Sequence, residues 1–168
     1  MATASPVVKV ADEVWLATAM LHQRNPERTD FSVEEIMEFA RKAKELRILG
    51  PLRPGFYVHV IQHCVANRPP NPARYRMLIE TASGRRRLYR PGDSYHPQRD
   101  GARTIPRFED LPGSWFKGLL NWHKEWCSTF SNRTQDEDPI LALVGSGKKL
   151  WQGEDPDEYV RRLREGWE

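Results

Sequence analysis

The segment Ala11–Gln23 constrains the fold most. Val14, Trp15, Leu16, Ala17, Met20 and Leu21 crowd it with apolar side chains on several faces. It reads as a helix buried on much of its girth, since a helix apolar all round is a core helix. It stops before Asn25-Pro26. A second helix has a marked start. Ser32 and Glu35 fit the S-x-x-E capping box, and Val33, Ile36, Met37 and Ala40 follow at i, i+3, i+4, i+7. Lys42, Lys44 and Arg47 suit its carbonyl end.

After the loop ILGPLRPG, a third helix is expected from about Phe56 to Asn67, stopped by Pro69-Pro70. Tyr57, Val60, Ile61, Cys64 and Val65 make one apolar stripe. The opposite face holds His59, Gln62, His63 and Ala66, with Asn67 and Arg68 near its end. A strand pair follows, Tyr75–Ile79 and Arg87–Arg90, linked by Ala82-Ser83-Gly84 with Arg85, Arg86 and Arg87 just past the turn. The Pro-, Arg- and Gly-rich stretch from Pro91 to Pro112 reads as a long loop of the kind that is functional or poorly ordered. Ser114 can cap a fourth helix, Trp115 to about Phe130. Its heavy stripe of Trp115, Leu119, Trp122, Trp126 and Phe130 serves either packing on the first domain or a homodimer seam. The polar run Ser131–Glu137 reads as a linker.

The expected architecture is α+β and mainly helical, in three parts: an ordered domain over 8–112, a Trp-rich amphipathic helix over 113–131, and a linker with an extended tail over 132–168. A length of 168 residues holds one ordinary domain plus such an appendage. No run approaches the roughly 20 apolar residues of a membrane span. The opening MATASPVVKVADEVW has no basic region followed by an apolar stretch, so a cytoplasmic protein is expected. Cys64 and Cys127 make no disulfide framework.

Net charge is only +3, but it is unevenly spread. From Arg68 to Arg107 there are ten arginines against three acids, Glu80, Asp93 and Asp100. From Asp136 to Glu168 nine acids face five bases. A basic middle and an acidic tail suggest two different partners, with a polyanion suiting the first.

Three helices followed by a hairpin, over Val10 to Asp93, resemble a winged helix-turn-helix domain in pattern and element order. The run VHVIQHCVANRPPNPARYRML (Val58 to Leu78) also resembles an uncharacterised prokaryotic domain that carries no assigned activity. The winged-helix resemblance implies DNA binding. Helix three would present His59, Gln62, His63 and Asn67 to a major groove, where Gln and Asn can pair with adenine. Arg68 would sit at the helix end. Arg85, Arg86 and Arg87 at the wing would meet phosphates or a minor groove.

The tail carries a second resemblance. Asp155, Pro156 and Glu158 mark the start of a short helix that stops at Gly166. DPILAL (Asp138–Leu143), GSGKKLW (Gly145–Trp151) and DEYVRRLREGW (Asp157–Trp167) resemble the toxin-neutralising tail of VapB-type antitoxins, which pair with PIN-domain ribonucleases. The resemblance implies that Leu141, Leu143, Leu150 and Trp151 anchor an extended stretch. Tyr159, Val160, Leu163 and Trp167 would bury one helix face. Arg161, Arg162 and Arg164 would face the carboxylates of the ribonuclease.

Other chemistries find little support. His59 and His63 have the i, i+4 spacing of zinc ligands, but Cys64 falls on the inner stripe and no C-x-x-C or H-E-x-x-H lies nearby. No metal or cofactor is expected. G-x-S-x-G, a Walker loop and paired carboxylates are missing, and Gly145-Ser146-Gly147-Lys148-Lys149 lacks the full phosphate-loop spacing. The expected function is an antitoxin-like, non-enzymatic DNA-binding regulator that acts on its own promoter and inhibits a PIN-domain ribonuclease. The alternative is a winged-helix regulator or nucleic-acid-binding module with no toxin.

Overall fold

Helix α1 (Val10–Arg24) is the axis of the fold, and every residue from Ala11 to His22 in it is buried. The computed structural model describes residues 8–136 and, beyond them, Arg161, Arg162 and Arg164. The chain divides into two compact units, Met1–Cys127 and Ser128–Glu168. Burial on all faces of α1 takes polar side chains inward with the apolar ones. The Thr18 hydroxyl donates to the Val14 carbonyl at 2.9 Å. Glu13 receives Arg53, with Nη2 to Oε1 at 2.7 Å. The fully buried Asp12 carboxylate faces Arg103, whose Nη2 is 3.0 Å away.

After α1, the two residues Phe31–Ser32 form strand β1, which the sequence pattern did not anticipate. Helix α2 (Val33–Lys42) starts from the expected capping box. Ser32 Oγ accepts the Glu35 N–H at 3.1 Å, and Glu35 accepts the Ser32 N–H at 2.7 Å. A one-turn helix α3 (Lys44–Arg47) follows. Helix α4 (Phe56–Val58) then runs directly into a π-helical turn, His59–His63.

The third helix is therefore shorter than the expected Phe56–Asn67. It ends where Cys64, Val65 and Ala66 are all fully buried. The backbone bonds instead to the segment before the hairpin. Met77 N–H donates to Cys64 O at 3.1 Å, and Ala66 N–H to Leu78 O at 2.7 Å. Tyr75, Arg76 and Met77 are consequently not part of a strand.

The hairpin comprises β2 (Leu78–Ala82) and β3 (Arg85–Leu88), joined by a tight turn in which Gly84 has φ 70°. An L side chain is strained at that angle, which suits a glycine. The antiparallel sheet has the order β1-β3-β2, with Leu78 opposite Leu88 and Glu80 opposite Arg86. Phe31 and Ser32 of β1 lie opposite Arg86 and Arg85. The core joins α1 to α2, α4, the sheet and the last helix through Trp15, Leu16, Met20, Phe31, Ile36 and Phe56.

The stretch between the sheet and the last helix is tied down along its length. His96 N–H donates to Ala66 O at 2.8 Å, and short 3-10 turns occupy Pro97–Arg99 and Phe108–Asp110. Helix α5 runs Gly113–Asp136, through the run Ser131–Asp136 expected to be a linker. Its inward side chains are Phe116, Leu119 and His123, with Leu120, Trp122 and Trp126 packed beside them. The buried face is thus rotated from the expected stripe, and Trp115 is left 48% exposed. Leu119, Trp122 and Trp126 of that stripe pack on the chain's own core.

Candidate nucleic-acid interface

Pleating decides where the three consecutive arginines of β3 go. Alternate side chains of a strand face opposite sides, so Arg86 and Leu88 point inward while Arg85 and Arg87 point outward. Arg86 is 1% exposed. Its Nε donates to Val60 O at 3.2 Å, and its Nη1 lies 3.3 Å from Glu80 Oε1 across the sheet. Burial lowers its affinity for a proton, and the Glu80 carboxylate works against that. Arg85 meets Asp30 through Nη2 at 2.6 Å and Nε at 2.8 Å. Hydrogen bonds from Arg85 and then Thr81 hold the Asp30 carboxyl below its usual range.

Arg87 grips Asp93 with two bonds, at 2.6 and 2.7 Å. Burial works against the Asp93 carboxylate. The Arg87 bonds and the Arg90 N–H nevertheless hold its pKa below the usual value. The expectation of a free arginine cluster at the wing tip is therefore corrected. All three guanidinium groups are paired within the fold, and Ser83 and Gly84 form the exposed tip.

Asn67 and Arg68 are likewise turned toward the hairpin. The Asn67 amide donates to Glu80 O at 3.0 Å and accepts the Glu80 N–H at 2.9 Å, imitating a further strand at the free edge of β2. Arg68 binds the Glu80 carboxylate with Nε at 2.6 Å and Nη2 at 2.8 Å. Arg68, first among several cations, holds that carboxyl low.

Three of the four groove-facing residues of the expected third helix, His59, Gln62 and His63, lie in the π turn. His59 Nδ1 is 2.9 Å from Gly55 O, and its ring meets His63 edge-on at 4.8 Å. Burial, then the neighbouring His59, makes His63 harder to protonate. Gln62 Nε2 donates to Pro69 O at 2.5 Å. Arg99 is fully buried against the same turn and donates to five carbonyls. Among them are Gln62 O at 2.8 Å and His63 O at 2.8 Å, which also accept the Val65 and Tyr75 N–H groups, each at 3.2 Å. His59, Gln62 and His63 are half-buried, and the most exposed residues of this helical segment are Tyr57 and Val58, at 50% and 40%.

Cations at the α2–α3 corner are differently placed. Arg41, Lys44 and Arg47 are exposed, and among the described residues none of them forms an ion pair. The acids beside them are engaged elsewhere: Glu38 with Lys42 at 2.5 Å, Glu45 with Arg24 at 2.6 Å. Arg47 Nε donates to the Arg41 carbonyl at 3.3 Å, which holds the Arg47 side chain against the end of α2. Sequence reasoning treated Lys44 and Arg47 only as favourable helix-end charges. No sequence signal singles them out, because Glu34, Glu35, Glu38 and Glu45 share the stretch and their pairing is set by the fold.

The expected partner-binding residues Leu141, Leu143, Leu150, Trp151, Tyr159, Val160, Leu163 and Trp167 lie outside the described residues. Arg161, Arg162 and Arg164 are helical and exposed. Among the described residues no His, Cys, Asp and Glu group is disposed to hold a metal ion, and no helix is long and apolar enough to cross a membrane. No protein-family model, no curated protein and no solved structure matches the chain.

Proposed function

We propose that the chain is an antitoxin-like DNA-binding regulator, with a winged helix-turn-helix unit that binds its own promoter and a tail that inhibits a PIN-domain ribonuclease. The observation that carries the DNA-binding half is the position of β1. It lies between α1 and α2 and pairs with β3, so the hairpin strand β3 is central in the order β1-β3-β2. Helix, strand, the short helices α2 to α4 with their π turn, and a hairpin, in this order and pairing, resemble the parts of a winged helix.

Within that reading the DNA contacts move. The wing arginines are neutralised in place, so the phosphate contacts fall to Arg41, Lys44 and Arg47 in the corner that leads to α4. Tyr57, Val58 and Gln62 would meet the groove. Replacing Arg41, Lys44 and Arg47 with Gln should flatten the salt dependence of duplex binding by up to about three counterions. Titrations at several salt concentrations decide it. An unchanged slope rejects this surface.

The tail half rests on the sequence resemblance, supported by the helical, exposed state of Arg161, Arg162 and Arg164. A chain ending at Asp136 should still bind DNA and should lose inhibition of the ribonuclease encoded beside it, measured by RNA cleavage. Full inhibition by the shortened chain would reject the antitoxin reading. DNA binding without any ribonuclease partner would leave the toxin-free regulator. A second reading, a winged helix that docks on protein, is favoured by one observation. Tyr57 and Val58 are apolar and exposed on the segment that should read bases.

A further inference from the structure

A cavity of ≈ 550 Å³ lies between α5, the residue stretch just before β2 and the chain following β3, with Tyr89, Pro91, Ile105 and Leu120 as apolar walls and Arg76 and Lys124 as its cations. Cavities that take small organic molecules span about 300–1,000 Å³. The two cations differ from the arginines around them. Arg68, Arg85, Arg86, Arg87 and Arg103 each face a carboxylate. Among the described residues Arg76 and Lys124 face none.

Arg76 is held in place without being neutralised. Its Nε donates to Ala102 O at 3.2 Å, and its guanidinium lies 4.2 Å from the Tyr95 ring centre and 5.7 Å from that of Tyr89. A charge anchored by stacking and one carbonyl keeps its Nη fork for an outside acceptor, and carboxylates match that fork with two parallel bonds.

The same cavity holds His123 and Cys127, with Sγ 3.5 Å from Nε2. Burial pushes the thiol up and the imidazole down. The pair is therefore a neutral thiol and a neutral imidazole, not the thiolate–imidazolium of a nucleophilic site. It serves as wall.

We infer that this cavity binds a small organic carboxylate with a flat apolar body, its carboxylate on Arg76 and Lys124 and its body against Tyr89, Ile105 and Leu120. This goes beyond the DNA-binding reading and does not depend on it.

The test is calorimetric titration of the full chain with 2-naphthoate and with its neutral counterpart 2-naphthamide. Naphthoate should bind one to one and about tenfold or more tighter than the amide, the usual worth of a charge-assisted contact. Lys124→Glu, an exposed change that leaves the core alone, should weaken naphthoate by a similar factor. Ile105→Trp should narrow the cavity and weaken binding of naphthoate, with an unchanged far-UV spectrum as control. Equal affinity for acid and amide overturns the proposal. So does naphthoate binding indifferent to both variants, or a dimer in sedimentation that takes up no naphthoate because a second copy covers the site.

Discussion

His22 Nε2, near the end of α1, accepts the backbone N–H of Leu88 in β3 at 3.3 Å. The imidazole is 1% exposed and meets the Phe31 ring edge-on at 4.9 Å. Burial, followed by the Arg90 and Arg87 guanidinium groups, pushes its pKa down to about 3. The folded state therefore holds neutral imidazole where the unfolded chain is protonated. Above the unfolded value of 6.5 neither form is charged and the group is silent. Between 6.5 and about 3 the unfolded state binds the extra proton, so stability falls with pH. The slope is about 1.4 kcal/mol per pH unit. His22→Gln keeps an acceptor for Leu88 without titrating in this range. Urea denaturation at pH 7, 6 and 5 should show the variant losing less stability on acidification than the parent. Parallel lines for the two proteins would contradict this account.

Glu35 adds a second acid-sensitive step at lower pH. Hydrogen bonds from Arg28, then the Ser32 N–H of the capping box, depress its carboxyl to about 2. Its stabilising effect is complete above the unfolded value of 4.5 and disappears as pH falls from there toward 2. Glu35→Gln should erase that lower component and spare the one due to His22. Ser32→Ala, which removes the cap oxygen, should cost about 1 kcal/mol at neutral pH. Denaturant midpoints across pH 2.5 to 5 separate the two contributions.

Arg99 should be among the least replaceable residues of the fold. Its five carbonyl partners belong to Gln62, His63, Arg68, Pro69 and Tyr75. Arg99→Ala takes a donor from all five, a loss of about 3 kcal/mol or more. Arg99→Lys keeps the charge with fewer donors in a different geometry and should recover only part. Thermal melting of the two variants checks the order. A lysine variant as stable as the parent would mean that charge, not the donor fork, is what this site needs.

The arginines of β3 should behave as fold residues. Arg87→Ala breaks two bonds to Asp93 in a half-buried setting and should lower the melting temperature by several degrees. It should leave the salt slope of DNA binding unchanged. Cys64→Asp should unfold the unit outright, because Cys64 is fully buried and Arg99, the first cation whose field reaches it, is already committed to five carbonyls. A soluble, cooperatively melting Cys64→Asp protein would show that this part of the core is not close-packed.

What the sequence alone determined are the features whose cause is local. The all-round apolar character of α1, the Ser32–Glu35 box and the glycine at the hairpin turn are written within a few residues of where they act. Each appears in the structure at or within a residue or two of its expected place. The order of helices and hairpin was legible for the same reason. Strand β1 was not, because two residues have no period to read and become a strand only by pairing with Arg86 and Arg85.

Side-chain partnerships were decided by tertiary structure. Arg85 lies 55 residues from Asp30, and Arg99 lies 36 residues from His63. A local excess of arginine therefore looked like a surface for a polyanion. Folding brings carboxylates and carbonyls to these guanidinium groups, and burial in low dielectric makes leaving them unpaired costly. The same physics shortened the third helix, where long-range bonds from Met77 and Leu78 to Cys64 displaced the helical ones. Charge in a sequence fixes how many cations a protein has. Only the packed chain determines which of them remain for a partner.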